Sequence, residues 1–233
     1  MNRFQSFDTM LLNGAGLNLQ AVFNISDLPS DVAESLRSFG ALEDYGQLIL
    51  IGHGGTRLWE CVKESGIISE DPIDDFTVQM VKRWFSDSQP NNRFRIIYPG
   101  SQAIGLQRLG QLAGWHSSSP FRVGVDAEWG SWYAYRAVVL ADTRFEPTRP
   151  VERTSPCLTC DGRPCVAACP AQALAGNEFG FEKCAAYRLQ PESACRDKCL
   201  ARVGCPVGSS HRYSDEQLRH SYSRSLRYLK QYF

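Results

Sequence analysis

Eight of the nine cysteines in this 233-residue chain lie between Cys157 and Cys205. So dense a run of thiols decides how that stretch can fold. It is made of turns with little room for an apolar core, and a segment of that kind needs a metal or disulfides to hold a structure. The N-terminus, MNRFQSFDTMLLNGAGLNLQAVFNI, has no basic stretch followed by a clean apolar run, so no secretory or twin-arginine signal is expected. Clustered thiols without export argue for metal over disulfides. Cys61 stands alone in the first half and reads as buried packing.

The first cysteine group is Cys157-x2-Cys160-x4-Cys165-x3-Cys169-Pro170, and the second is Cys184 followed by Cys195-x3-Cys199-x5-Cys205-Pro206. Thiolates at short intervals converge on soft metal centres, and eight of them suit two [4Fe-4S] clusters. In two-cluster ferredoxins the cysteine before the proline serves the other cluster. By that logic Cys157, Cys160 and Cys165 share one cluster with Cys205, while Cys169, Cys184, Cys195 and Cys199 hold the second. The spacing departs from the bacterial pattern, because Asp161 to Pro164 stand where two residues are usual. Zinc is the alternative at the cysteine sites, since two four-thiolate sites accept the same spacings.

Upstream, strand and helix patterns alternate. SDVAESLRSFG (30–40) reads as a capped helix with Leu36 and Phe39 on its apolar side. GQLILIG (46–52) suits a buried strand, with the glycines of GHGG (52–55) turning the chain into the next helix. DPIDDFTVQMVKRWF predicts a helix with Phe76, Met80 and Trp84 on one side. RFRIIYPG, FRVGVD and SWYAYRAVVL read as strands, with a helix over IGLQRLGQLAGW between the first two. This alternation predicts an α/β (α+β) layered domain over 1–150. The polar, proline-rich ADTRFEPTRPVERTSP marks a boundary. A small ferredoxin-like module is expected over 151–210 and an amphipathic helix over 211–233, opened by a capping box at Ser214 and Gln217.

Charge narrows the partners. The chain has 25 basic and 25 acidic side chains, so no large nucleic-acid footprint is expected. Residues 206–233 carry five Lys or Arg against two acids, too small a patch to argue for tRNA recognition. QLILIG and YRAVVL are too short to cross a bilayer, and the chain reads as cytoplasmic, with no transmembrane segment.

One order of features runs from residue 113 to 206. AGW (113–115) comes first, then WGSWYAYRAVVL (129–140), SPCLTCDGRPCVAACPAQAL, CAAYRL (184–189) and CRDKCLARVGCPVG. That order resembles the cobalamin-dependent iron–sulfur reductases, which include epoxyqueuosine reductase and the reductive dehalogenases. GSWYAYRAVVL is also similar to the vertebrate cobalamin-processing protein, which lacks the clusters. The resemblance implies a nitroreductase-like domain that binds a corrinoid and receives electrons from the ferredoxin-like module. It also implies an electron donor such as flavodoxin or ferredoxin. The tRNA-modifying members carry a helical-repeat extension after the clusters. A single basic helix is expected there instead, which favours cobalamin processing or small-molecule reduction.

Candidate residues for the first domain follow. His53, Gly54 and Gly55 permit close approach of a cofactor and expose backbone N–H groups to an anion. His116 suits a polar loop beside a planar cofactor. Trp129, Trp132 and Tyr133 offer aromatic cover, and Arg136 suits a cofactor amide, carboxylate or phosphate. Strict alternation puts Trp132, Ala134, Arg136 and Val138 on one face of the strand, and Tyr133, Tyr135 and Ala137 on the other. Asp126 is the proton-donor candidate, with Asp74, Asp75 and Glu128 as rivals. FMN in the same pocket is the alternative cofactor, and an electron-transfer or cofactor-delivery protein is the non-enzymatic alternative. There is no G-x-G-x-x-G, P-loop, H-E-x-x-H or serine-nucleophile elbow.

Overall fold

A computed structural model describes residues 4–40, 44–149 and 153–233. The chain divides into two compact units, Met1–Gly114 with Tyr133–Glu152, and Trp115–Trp132 with Arg153–Phe233. Two stretches therefore group differently from the sequence-based boundaries. Trp115–Trp132 packs with the cysteines, and so does the C-terminal helix.

The first unit is built on four strands, β1 (Leu19–Asn24), β2 (Gln47–Gly54), β3 (Phe94–Tyr98) and β4 (Tyr133–Ala141), in the order β1-β2-β4-β3. Every neighbouring pair is antiparallel. The alternating strands and helices thus resolve as an α+β arrangement. All residues of β2 are buried, which explains why LILIG is apolar without alternation. Among the described residues five α-helices accompany the sheet: α1 (Met10–Gly14), α2 (Ser30–Leu36), α3 (Arg57–Ser65), α4 (Pro72–Ser88) and α5 (Leu106–Leu112). Pro72 opens α4, and Asp74 and Asp75 lie in its first turn, where carboxylates oppose the helix dipole. Phe76 and Trp84 of α4 pack with Ile49, Ile51, Ala137 and Val139 of the sheet, and Met80 lies at the margin of that core.

Two local expectations change. FRVGVD makes only isolated bridges, Ser117 to Val125 and Asp126 to Gly130, because Arg122 at φ 63° and Gly130 at φ 59° interrupt the extended backbone. GHGG is mostly strand, since Gly52, His53 and Gly54 pair with Tyr135, Ala134 and Tyr133. The turn is left to Gly55, at φ 77°. Gly110 lies within α5. An alanine in a helix normally stabilises by roughly 1 kcal/mol over glycine. Here an added Cβ would lie 1.9 Å from the Tyr135 hydroxyl. Gly110→Ala is therefore expected to lose about 1–3 kcal/mol by overpacking, as measured by urea denaturation.

The second unit has three short helices, α6 (Pro164–Ala167), α7 (Phe181–Leu189) and α8 (Leu200–Val203), and a long one, α9 (Asp215–Tyr232). Ser214 caps α9 by accepting from the Gln217 backbone N–H at 3.2 Å. Leu218 and Leu226 of its apolar stripe are buried. The rest of the interior is small, and cysteines are part of it: Cys165 and Cys205 pack with Phe121, Val125, Leu174 and Ala201. Among the described residues no helix is long and apolar enough to cross a membrane.

Candidate functional site

In the first unit a β-bulge re-aims the residue that matters. Between β2 and β4 the register moves from Gly52 opposite Tyr135 to Ile51 opposite Ala137, so Arg136 is the extra residue. Strict alternation fails at this point. The Tyr135 hydroxyl lies against Gly110 of α5, whereas Arg136 turns toward α4, whose core also receives its neighbour Ala137. Arg136 Nε donates to Nδ1 of the fully buried His53 at 2.9 Å. An acceptor at Nδ1 places the ring proton on Nε2. Arg136 Nη1 also stands 3.8 Å from Asp74 Oδ1.

Tyr98, at the end of β3, completes the cluster. Burial pushes its hydroxyl above the usual range, while Arg136 pulls it down and Asp74 pushes it up. Burial likewise raises the Asp74 carboxyl, against the pull of Arg136. Four polar side chains from β2, β3, β4 and α4 thus act on one another. The sequence reading included His53, Arg136 and Asp74 but missed Tyr98. Arg136→Ala takes the donor from a buried imidazole nitrogen and is expected to cost about 1–3 kcal/mol. Thermal unfolding of this variant beside Arg136→Lys tests it, with the lysine variant expected to fall between.

Other candidates are engaged in structure. The Gly54 N–H donates to Asn18 Oδ1 at 2.8 Å, so it is not turned to an anion. Asp126 Oδ1 accepts from the backbone N–H groups of Glu128 at 2.8 Å and Trp129 at 2.9 Å. Its Oδ2 lies 3.6 Å from Arg153. This buried carboxylate braces the turn before Gly130. Trp129 stacks at a tilt on His211, with ring centroids 4.4 Å apart. Trp132 is fully buried, with the Arg202 guanidinium 4.7 Å from its ring centroid. Tyr133 is buried and meets Tyr135 edge-on at 5.7 Å. His116 sits in the second unit, where burial lowers its imidazole pKa.

The same turn pins the cysteine segment. A Cβ on Gly130 would lie 2.0 Å from the Val207 carbonyl oxygen, and one on Gly208 would lie 2.3 Å from the Trp129 backbone. Both glycines are left-handed, with φ of 59° and 63°. The chain leaving Cys205-Pro206 therefore crosses Trp129–Gly130 backbone to backbone, which only glycine allows.

All nine cysteines are free thiols. Eight of them fall into two sets by which thiols act on which. Cys157 is influenced by Cys205 and Cys160, Cys165 by Cys205, Cys157 and Cys160, and Cys205 by Cys160. Cys184 is influenced by Cys199, Cys169 and Cys195, and Cys195 by Cys199 and Cys169. Burial is the largest cause in every case, and it pushes Cys184 up to about 11. Short helices frame the crossing: α6 ends just before Cys169-Pro170, and α8 just before Cys205-Pro206. The two pack together, so closely that a Cβ on Gly204 would come 2.9 Å from that of Ala168.

Cys169, Cys184, Cys195 and Cys199 line one cavity of ≈ 520 Å³, with Arg188 and Tyr222 beside them. Among the described residues no three His, Cys, Asp or Glu side chains close around a single-ion site.

Epoxyqueuosine reductase from Streptococcus thermophilus superposes with a TM-score of 0.51 at 14% identity, over 86% of this chain and 65% of that one. The chain shares the fold of epoxyqueuosine reductase. It spans slightly less than two thirds of that enzyme. The B12-trafficking protein CblC from C. elegans matches with a TM-score of 0.50 at 14% identity, over 86% of this chain and 83% of CblC. The catabolic reductive dehalogenase NpRdhA matches at 0.50 and 11% identity, over 92% of this chain and 33% of the dehalogenase. No protein-family model matches the chain, and no curated protein matches its sequence.

Proposed function

We propose that this chain is a corrinoid-binding iron–sulfur reductase that processes cobalamin or reduces a small molecule. The observation that carries the reading is the crossed division of eight thiols into two sets of four. Cys157, Cys160, Cys165 and Cys205 would hold one [4Fe-4S] cluster, and Cys169, Cys184, Cys195 and Cys199 the other. The fold shared with epoxyqueuosine reductase, CblC and a reductive dehalogenase supports a corrinoid in the first unit. When bound, the clusters supply one-electron transfer and the corrinoid a low-valent cobalt centre.

The chain's own residues then have distinct tasks. Cys165, Cys195 and Cys205 are buried and keep water from the inner side of the metal sites. His53, Arg136 and Asp74 form the polar face of the corrinoid-binding unit. Where a substrate needs a proton, Asp74 and Tyr98 suit the task better than Asp126, whose two oxygens are taken up by the turn and Arg153. A flavodoxin or ferredoxin would deliver electrons, and free thiols suit a reducing, cytoplasmic setting.

The test is an anaerobic titration of iron-loaded protein with hydroxocobalamin, followed in the cobalt spectrum before and after reductant. Saturable spectral change, then cobalt reduction that is lost in a Cys184→Ala variant, is the expected result. Folded, iron-loaded protein that leaves the cobalamin spectrum unchanged would sink the corrinoid reading. A tightly bound yellow chromophore would replace it with a flavin.

A further inference from the structure

The two thiol sets have different electrostatic surroundings. Arg188 of α7 is half-buried beside the second set. Its guanidinium donates to the Cys195 carbonyl at 3.3 Å, to Ser225 Oγ at 2.9 Å and to the Tyr222 carbonyl at 3.2 Å. It also lies 5.2 Å from the Tyr222 ring centroid. These contacts fix one cation against α9, beside Cys184 and Cys195 in the cavity that the second set lines.

Arg202 of α8 is only 7% exposed. Its guanidinium is held by the Ser131 carbonyl and hydroxyl and sits between Trp132 and Tyr213, 4.7 and 4.9 Å from their ring centroids. Arg202 and Cys199 both act on the Tyr222 hydroxyl.

Among the described residues neither arginine has a carboxylate within ion-pair reach. A buried cation without a carboxylate needs another countercharge. Four thiolates on a metal cluster supply one. The cations that act on the first set are Arg163 on Cys157 and Arg212 on Cys205. Both are exposed, so water and salt screen them.

We infer that Arg188 makes the second thiol set the higher-potential centre of the two. The inference rests on the iron–sulfur reading above. Reduction of a thiolate-bound cluster adds one electron and one unit of negative charge. A fixed, poorly screened cation stabilises the reduced form more than the oxidised one, so it raises the potential. Arg188 is thus a positioning residue that tunes the centre without ligating it. Electrons would collect at Cys169, Cys184, Cys195 and Cys199 before the first set fills.

The experiment is an EPR-monitored potentiometric titration of the full chain, with iron and acid-labile sulfide measured on every sample. Wild type should show two one-electron transitions. Arg188→Gln should lower only the upper one, by about a tenfold change in the reduced-to-oxidised ratio, or about 59 mV. Arg188→Lys should restore most of it. Cys160→Ala, which damages the first set, should leave the upper transition in place.

Arg188→Gln protein with full iron and two unmoved transitions would overturn the inference. So would a Cys160→Ala variant that keeps only the lower transition. Wild-type protein without iron and sulfide would instead remove the iron–sulfur reading itself.

Discussion

On the iron–sulfur reading, removal of iron by a chelator under anaerobic conditions is expected to unfold the cysteine segment while the antiparallel sheet stays folded. The reason is the composition of the two interiors. Around the cysteines the core contains Cys165 and Cys205 themselves, with Phe121, Val125, Leu174 and Ala201. Helices α6 and α8 have four residues each, far too short to persist alone. Structural metal sites in small modules contribute about 10–16 kcal/mol of folding free energy, on the scale measured for zinc. No contact among the segment's few apolar side chains approaches that. Hydrogen exchange should therefore show protection lost between Cys157 and Cys205 and retained in β2 and β4. Protection that survives complete iron loss would mean the thiol sets are not metal-dependent structure.

Trp84→Ala is expected to do the reverse. Trp84 is fully buried, stacks on Phe7 at 4.6 Å, and meets Phe85 edge-on at 4.9 Å. Its indole N–H donates to the Asp8 carbonyl at 2.7 Å. Deleting the ring leaves a cavity and strands a carbonyl, and aromatic-to-alanine changes in cores cost about 3–5 kcal/mol. The midpoint for the first unit in urea should fall accordingly, with Trp84→Phe losing less because it keeps ring volume. Iron content should not change, since the thiols belong to the other unit. An unchanged midpoint would place Trp84 outside the stabilising core.

Helix α4 was legible because Phe76, Met80 and Trp84 repeat at helical spacing, and that period survives in the packed core. The crossed thiol sets were legible too, since the two Cys-Pro endings are written in the chain. Arg136 was not. A bulge has no local signature, because it depends on how β2 pairs with β4, and the inserted residue overturned the alternation expected for SWYAYRAVVL. The surroundings of Asp126 were not legible for a related reason. A carboxylate beside aromatics looks available in sequence, but Glu128 and Trp129 turn their backbone N–H groups onto it. FRVGVD has strand composition, yet Arg122 takes a left-handed conformation that no propensity scale anticipates. Tyr98 was missed because its partners, Arg136 and Asp74, lie far away in the chain.

The most direct measurement is the metal and sulfide content of the full chain purified without oxygen. Two [4Fe-4S] clusters require about eight irons and about eight acid-labile sulfides per chain. Cys184→Ala should lower that content toward about half, because it breaks one set of four and leaves the other. About two zinc ions per chain with no labile sulfide would contradict the central claim and make the thiol sets structural.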